Sequence, residues 1–147
     1  MKIALGTAQF GLDYGIANTM GRLAQDEGKR IIALARRHGI NTLDTAIAYG
    51  ESECSLGRIG VDDWNVVTKL PAIPDSCVDV AGWVRSEVEG SLRRLGVGRL
   101  HALLLHRPSQ LFDHQGPQLF SSMQRLVAEG VVQKIGVSIY DPSELGP

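Results

Sequence analysis

At 147 residues with a formal net charge of −1, the chain has the length of one domain and no excess charge with which to hold nucleic acid or an anionic membrane surface. Its 44% hydrophobic and 21% charged residues fit a water-soluble globular protein, and no apolar run approaches the ~20 residues of a membrane span. Cys54 and Cys77 form no C-x-x-C pair and are expected as reduced thiols, and residues 1–6 do not resemble a signal peptide, so the expected location is cytoplasmic.

Residues 3–7 form a short apolar run ending in Gly6-Thr7 and read as a first strand. Residues 8–23 are rich in Gly, Asn and Asp without periodicity, so they read as a long loop, a feature that usually carries function in a compact domain. Phe10 and Tyr14 within it are candidate pocket residues. Residues 25–38 predict a helix with Ile31, Ile32, Leu34 and Ala35 as its apolar stripe, basic residues in its last turn, and Gly39 as its stop. Residues 42–45 predict a second strand and residues 51–59 a short helix. Asn65–Leu70 is a third strand, with β-branched Val66 and Val67, and Pro71 and Pro74 mark the loop after it.

Val80, Val84, Val88 and Leu92 recur at helical spacing, with Leu95 completing the face, and Gly96 ends this helix. Arg85–Glu89 and Glu89–Arg93 are spaced as i,i+4 ion pairs, and Arg93-Arg94 reads as a solvated face. Leu100–Leu105 is a buried strand in pattern. Residues 117–129 predict a helix packed through Leu119, Phe120, Met123, Leu126 and Val127; residues 134–138 predict a fifth strand. Asp141-Pro142 then has the form of a helix start.

Strict alternation of strand and helix predicts a parallel sheet covered by helices, with no internal domain boundary. Length alone favours a five-stranded doubly wound sheet. A (β/α)8 barrel, at ~250 residues, would be little more than half complete. The first βα turn, Gly6-Thr7-Ala8-Gln9-Phe10-Gly11, is not a dinucleotide or phosphate-loop fingerprint. G-x-S-x-G and H-E-x-x-H are absent, and the four histidines and two cysteines have no metal-ligand spacing, so no metal is expected.

The strand ends favour the barrel. Asp44, Lys69 and His106 close the second, third and fourth strands, and Tyr49 lies in the loop after the second. Each has an ordinary reading alone: a loop cap, a snorkelling lysine, a strand terminator, a surface aromatic. Three consecutive strands ending in titratable groups are harder to dismiss, because a barrel gathers such ends at one mouth. A buried lysine and aspartate are tolerable as a pair. A cation ~4 Å from a phenol would favour the phenolate by roughly 4 kcal/mol, so Lys69 is expected to pull the Tyr49 pKa down toward neutrality.

Taken together, Leu5-Gly6-Thr7, Asp44-Thr45-Ala46-Ile47-Ala48-Tyr49-Gly50 with Glu53 and Leu56-Gly57, Val67-Thr68-Lys69, Ser91-Leu92-Arg93-Arg94-Leu95-Gly96, Leu103-Leu104-Leu105-His106-Arg107-Pro108 and Gly136-Val137-Ser138 resemble the aldo-keto reductase family. The resemblance runs through the whole chain in the family's order. It implies an α/β fold, a partial (β/α)8 TIM barrel of strands one to five and helices one to four. Residues 1–147 would then be a truncated aldo/keto reductase domain. It further implies reduction of an aldehyde or ketone with NADPH, without metal or flavin. Tyr49 would be the general acid, Lys69 and Asp44 its tuning pair, and His106 the group that orients the carbonyl. Gly6, Thr7, Asp44 and Ser138 would approach the nicotinamide end of NADPH.

Three departures stand out. Ile139 occupies the place where many members have Asn beside the nicotinamide carboxamide. The first strand starts so early that the hairpin often found under the barrel has no room. Strands six to eight, which hold most of the cofactor site, are missing. A second reading is therefore a catalytically incompetent binding or assembly module that self-associates through its exposed barrel edges.

Overall fold

The computed structural model describes residues 3–16, 18–19 and 21–145. Strands and helices alternate in the order β1 (Leu5–Gly6), α1 (Gln25–Arg37), β2 (Thr42–Asp44), α2 (Ser52–Ile59), β3 (Asn65–Leu70), α3 (Val80–Leu95), β4 (Leu100–Leu105), α4 (Gly116–Ala128) and β5 (Val132–Val137). Single 3-10 turns span Ala8–Phe10, Pro108–Phe112 and Pro142–Leu145. The expectation about a leader rested partly on Met1 and Lys2, which lie outside the described residues.

All neighbouring strands are parallel, and their order across the sheet is their order along the chain. A doubly wound sheet reverses strand order at a switch point. This sheet never reverses, so it is the wall of a barrel: a partial (β/α)8 architecture.

The period of two along each strand separates its faces. Leu43, Val66, Leu70, Leu103 and Leu105 are buried in one core with Val84 and Val88 of α3 and Leu119 and Met123 of α4. Thr42, Asp44, Val67 and Leu104 alternate with them and are only half-buried. α3 shows how local sequence shapes an element. The Asp79 carboxylate accepts the Gly82 N–H at 2.9 Å to cap its start, and Gly96 at φ +68° ends it in the left-handed region.

Some local expectations need correction. Leu34, Phe120 and Val127 are exposed, because they sit at the margins of their helical stripes, beside the buried Ile32, Ala35, Leu119, Met123 and Leu126. β1 is shorter than residues 3–7, and β5 begins earlier than residue 134 because Val132 pairs with Leu100. Arg85 does not use its helical neighbour Glu89. Its guanidinium donates to Glu129 at 2.8 Å, tying α3 to the end of α4.

Arg93 is exposed, whereas Arg94 is only partly solvated and is paired. Its Nε donates to Glu53 Oε2 at 2.8 Å, while Thr68 Oγ1 and Ser91 Oγ donate to Glu53 Oε1 at 2.7 and 2.9 Å. Glu53 itself is 1% exposed. This carboxylate joins α2, β3 and α3 through charge-assisted bonds. The helices approach closely enough that a Cβ on Gly57 would strike the Arg94 carbonyl oxygen. No helix among the described residues is long and apolar enough to cross a membrane.

Candidate active site

Parallel pairing brings the four strand-end residues together. Asp44 pairs with Val67 in register and Lys69 with Leu104, and the His106 N–H donates to the Leu70 carbonyl at 3.1 Å. These carboxyl ends form one rim, where barrels gather chemistry.

Lys69 is 4% exposed. Nζ donates to Asp44 Oδ1 at 2.8 Å, to Asp44 Oδ2 at 2.9 Å and to the Thr45 carbonyl at 2.8 Å. The pair is tolerable at this depth because the cation is fully hydrogen-bonded and the carboxylate reaches water. Lys69 Nζ also lies 5.1 Å from the centroid of the Tyr49 ring, over its face. The His106 ring meets Tyr49 edge-on, with centroids 5.7 Å apart and an interplanar angle of 78°.

The electrostatics correct one expectation. The Tyr49 phenol is held above its ordinary pKa, first by burial and then by the Asp44 carboxylate, with Tyr140 and Tyr14 adding in the same direction. The lowering expected from Lys69 does not prevail, because burial of the phenol acts first against ionisation and the Asp44 carboxylate, which holds that ammonium, adds in the same direction. The His106 imidazole is held below its ordinary pKa, first by burial and then by Lys69, with Arg107 adding and Asp44 opposing. At neutral pH the rim therefore presents a protonated phenol and a neutral imidazole, both hydrogen-bond donors.

A cavity of about 950 Å³ opens beside these groups, with Ala48, Pro71, His106, Arg107, Phe112 and Tyr140 in its wall. Its lining takes in His106 and the residue preceding Tyr49, but not Asp44, Tyr49 or Lys69. Phe10 is not a pocket residue: it is 3% exposed, and its ring lies against Gly28 in the core. Tyr14 is exposed.

The remaining rim residues separate into two kinds. Gly6 pairs with Asp44, and a Cβ there would meet nothing within 4 Å, so the space above it is open. Ser138 is half-buried at the end of β5, its N–H donating to the Leu105 carbonyl at 2.9 Å, and Ile139 follows it at the surface. Thr7 is fully buried instead. Its hydroxyl donates to the Asp44 carbonyl oxygen at 2.9 Å, so its side chain holds the aspartate's backbone.

Residues that the strand-end argument did not single out also shape the site: Gly11, Thr45 and Ser52, packed around the Tyr49 turn. Their visible signal is a hydroxyl just past each of β1 and β2, at Thr7 and Thr45. No group of three or more His, Cys, Asp or Glu side chains suited to a metal occurs among the described residues.

Known proteins resemble this chain in both sequence and structure. The sequence pattern of the aldo/keto reductase family matches residues 2–146. A 6-dehydroglucose reductase of Agrobacterium fabrum is 35% identical over 122 residues, covering 71% of this chain and 40% of that protein. A Pseudomonas aeruginosa crystal structure described as an aldo-keto reductase superposes with a TM-score of 0.76 at 32% identity, covering 92% of this chain and 54% of the other. A Klebsiella pneumoniae aldo-keto reductase, solved in complex with NADPH, shares the fold at 24% identity and a TM-score of 0.67, covering 97% of this chain and 46% of the other. The chain thus spans about half the length, or less, of these relatives. With the family pattern matched almost from end to end on a sheet of barrel order, the chain belongs to the aldo/keto reductase family, a family of oxidoreductases.

Proposed function

We propose that residues 1–147 are part of an aldo/keto reductase domain and carry the proton-transfer site of an NADPH-dependent reductase acting on an aldehyde or ketone. The observation that carries this reading is that both the Lys69 ammonium, 5.1 Å from the Tyr49 ring centroid, and the His106 ring, 5.7 Å from it, stand against the Tyr49 phenol ring.

Each residue then has a task. Tyr49, its pKa raised, keeps its proton until the substrate oxygen gains negative charge, and then donates it. Lys69 stabilises the phenolate that remains, and Asp44 fixes the lysine through both carboxylate oxygens. Neutral His106 donates a hydrogen bond to the carbonyl oxygen and sets its direction. The open space above Gly6, the half-exposed Asp44 and the half-buried Ser138 fit the nicotinamide end of NADPH. Thr7 supports that site through the Asp44 backbone. NADPH, when bound, supplies the hydride. The cavity beside His106 would receive the substrate.

Tyr49→Phe is expected to lower NADPH-dependent aldehyde reduction, followed as loss of NADPH absorbance, by a factor of ~10² or more while NADPH binding persists. Turnover that survives the substitution would overturn the reading. A second reading, self-association as an assembly module, draws support from β5, where Val132 alone is buried, unlike β3 and β4. Gel filtration separates the two: a monomer that binds NADPH speaks against the module.

A further inference from the structure

We infer that three buried hydroxyls, those of Thr45, Ser52 and Thr7, together with the close approach of Gly11, position Tyr49 against Asp44 and Lys69, with Ser52 as the central positioning residue. The catalytic meaning of this device rests on the reading of Tyr49 as proton donor; the device itself is independent of it.

All three hydroxyl-bearing residues are 0% exposed, so none can reach a substrate. Each hydroxyl has one proton, and the distances assign all of them. Thr7 donates to the Asp44 carbonyl at 2.9 Å, and Ser52 donates to the Thr7 carbonyl at 2.8 Å. Thr45 is then left to donate to Ser52 Oγ at 3.1 Å, and the Ser52 and Thr7 hydroxyl oxygens also lie 3.1 Å apart. The chain of donors joins the ends of β1 and β2 to the first residue of α2. It thereby closes residues 44–52 into a loop whose two ends are tied together, with Asp44 at one end and Tyr49 within it.

The turn is also held by close backbone contact. A Cβ on Gly11 would overlap the Tyr49 carbonyl oxygen and the Ser52 amide nitrogen and stand 2.8 Å from the Glu51 nitrogen. Gly50, at φ +53°, would place a Cβ 2.8 Å from the Gly11 carbonyl oxygen. The loop after β1 is thus pressed against the Tyr49 turn with no room for a side chain on either strand of the contact. The hydroxyl bonds and the glycine contacts together hold the turn in place, and there the phenol is buried enough to raise its pKa.

The test reads Tyr49 directly, with neither cofactor nor substrate. Of the three tyrosines, Tyr14 and Tyr140 are replaced by phenylalanine, and the Cζ carbon of the remaining one is followed by NMR in labelled protein as pH rises. Ser52→Ala and Gly11→Ala are each expected to lower the Tyr49 midpoint by about half a pH unit or more, as the turn opens to water. Ser122→Ala, which removes a hydroxyl bonded to the Gln118 carbonyl within α4, is expected to leave it in place. A Ser52→Ala protein that is folded by circular dichroism and titrates like its parent overturns the inference. If that variant does not fold, Ser52→Cys, a weaker donor of similar size, should show a smaller shift of the same sign, and no shift overturns the inference equally. If these shifts occur but Tyr49→Phe retains turnover, the reductase reading fails and the positioning device stands.

Discussion

Replacing Glu53 by alanine removes the buried charge on which α2, β3 and α3 converge. The carboxylate is 1% exposed, and Arg94, whose side chain is 35% exposed, approaches it through Nη2 at 2.7 Å as well as Nε. Breaking one member of a buried pair costs ~3–5 kcal/mol, because the other charge stays uncompensated. Partial access of Arg94 to water places the loss near the lower end, at ~3 kcal/mol. The Thr68 and Ser91 hydroxyls, deprived of their acceptor, each add ~1 kcal/mol. Glu53→Ala should therefore lower the free energy of unfolding by about 5 kcal/mol, a large share of a typical domain's ~5–15. Urea unfolding followed by the fluorescence of Trp64 and Trp83 measures the change. Glu53→Met combined with Arg94→Met should cost less than Glu53→Ala alone, since neither charge is then stranded. A loss below ~1 kcal/mol for Glu53→Ala, or a double variant less stable than the single, would refute this account of the pair.

Two further outcomes can be checked by the same unfolding method. Gly57→Ala drives a Cβ into the Arg94 carbonyl and should destabilise by ~1–3 kcal/mol as α2 is pushed from α3; an unchanged urea midpoint would contradict the packing. The fold holds His106 below its ordinary pKa, so the unfolded chain takes up that proton first as pH falls. The stability it contributes is present above about 6.5 and is lost as pH drops from there through the folded value. His106→Gln should flatten this acid-side decline, measured as the urea midpoint between about pH 7.5 and 5. Equal slopes in the two proteins would remove His106 as the cause.

Much of this protein is legible in its sequence because the forces involved are local. The four-residue recurrence of Val80, Val84 and Val88 and a stopping Gly96 specify α3 in the sequence, and the structure adds Asp79 as its cap. Asp44, Lys69 and His106 could be placed on one rim because alternation and parallel pairing leave strand ends little choice. Other features depended on partners distant in sequence. Arg94 looked like a surface residue until Glu53, 41 positions earlier, proved to lie under it. Phe120 and Val127 fitted an apolar stripe, but burial depends on what a neighbouring layer covers.

The chain by itself determined the alternating elements, the chemistry at the strand ends and the family they resemble, since each follows from residue type and spacing. Tertiary structure alone decided the unreversed strand order that makes a barrel wall and the direction of the Tyr49 pKa. The reason is the same for both. Pairing order and the surroundings of a phenol depend on which distant groups come within a few ångströms, and here burial first, then the Asp44 carboxylate, held on both oxygens by Lys69, keep the proton on Tyr49.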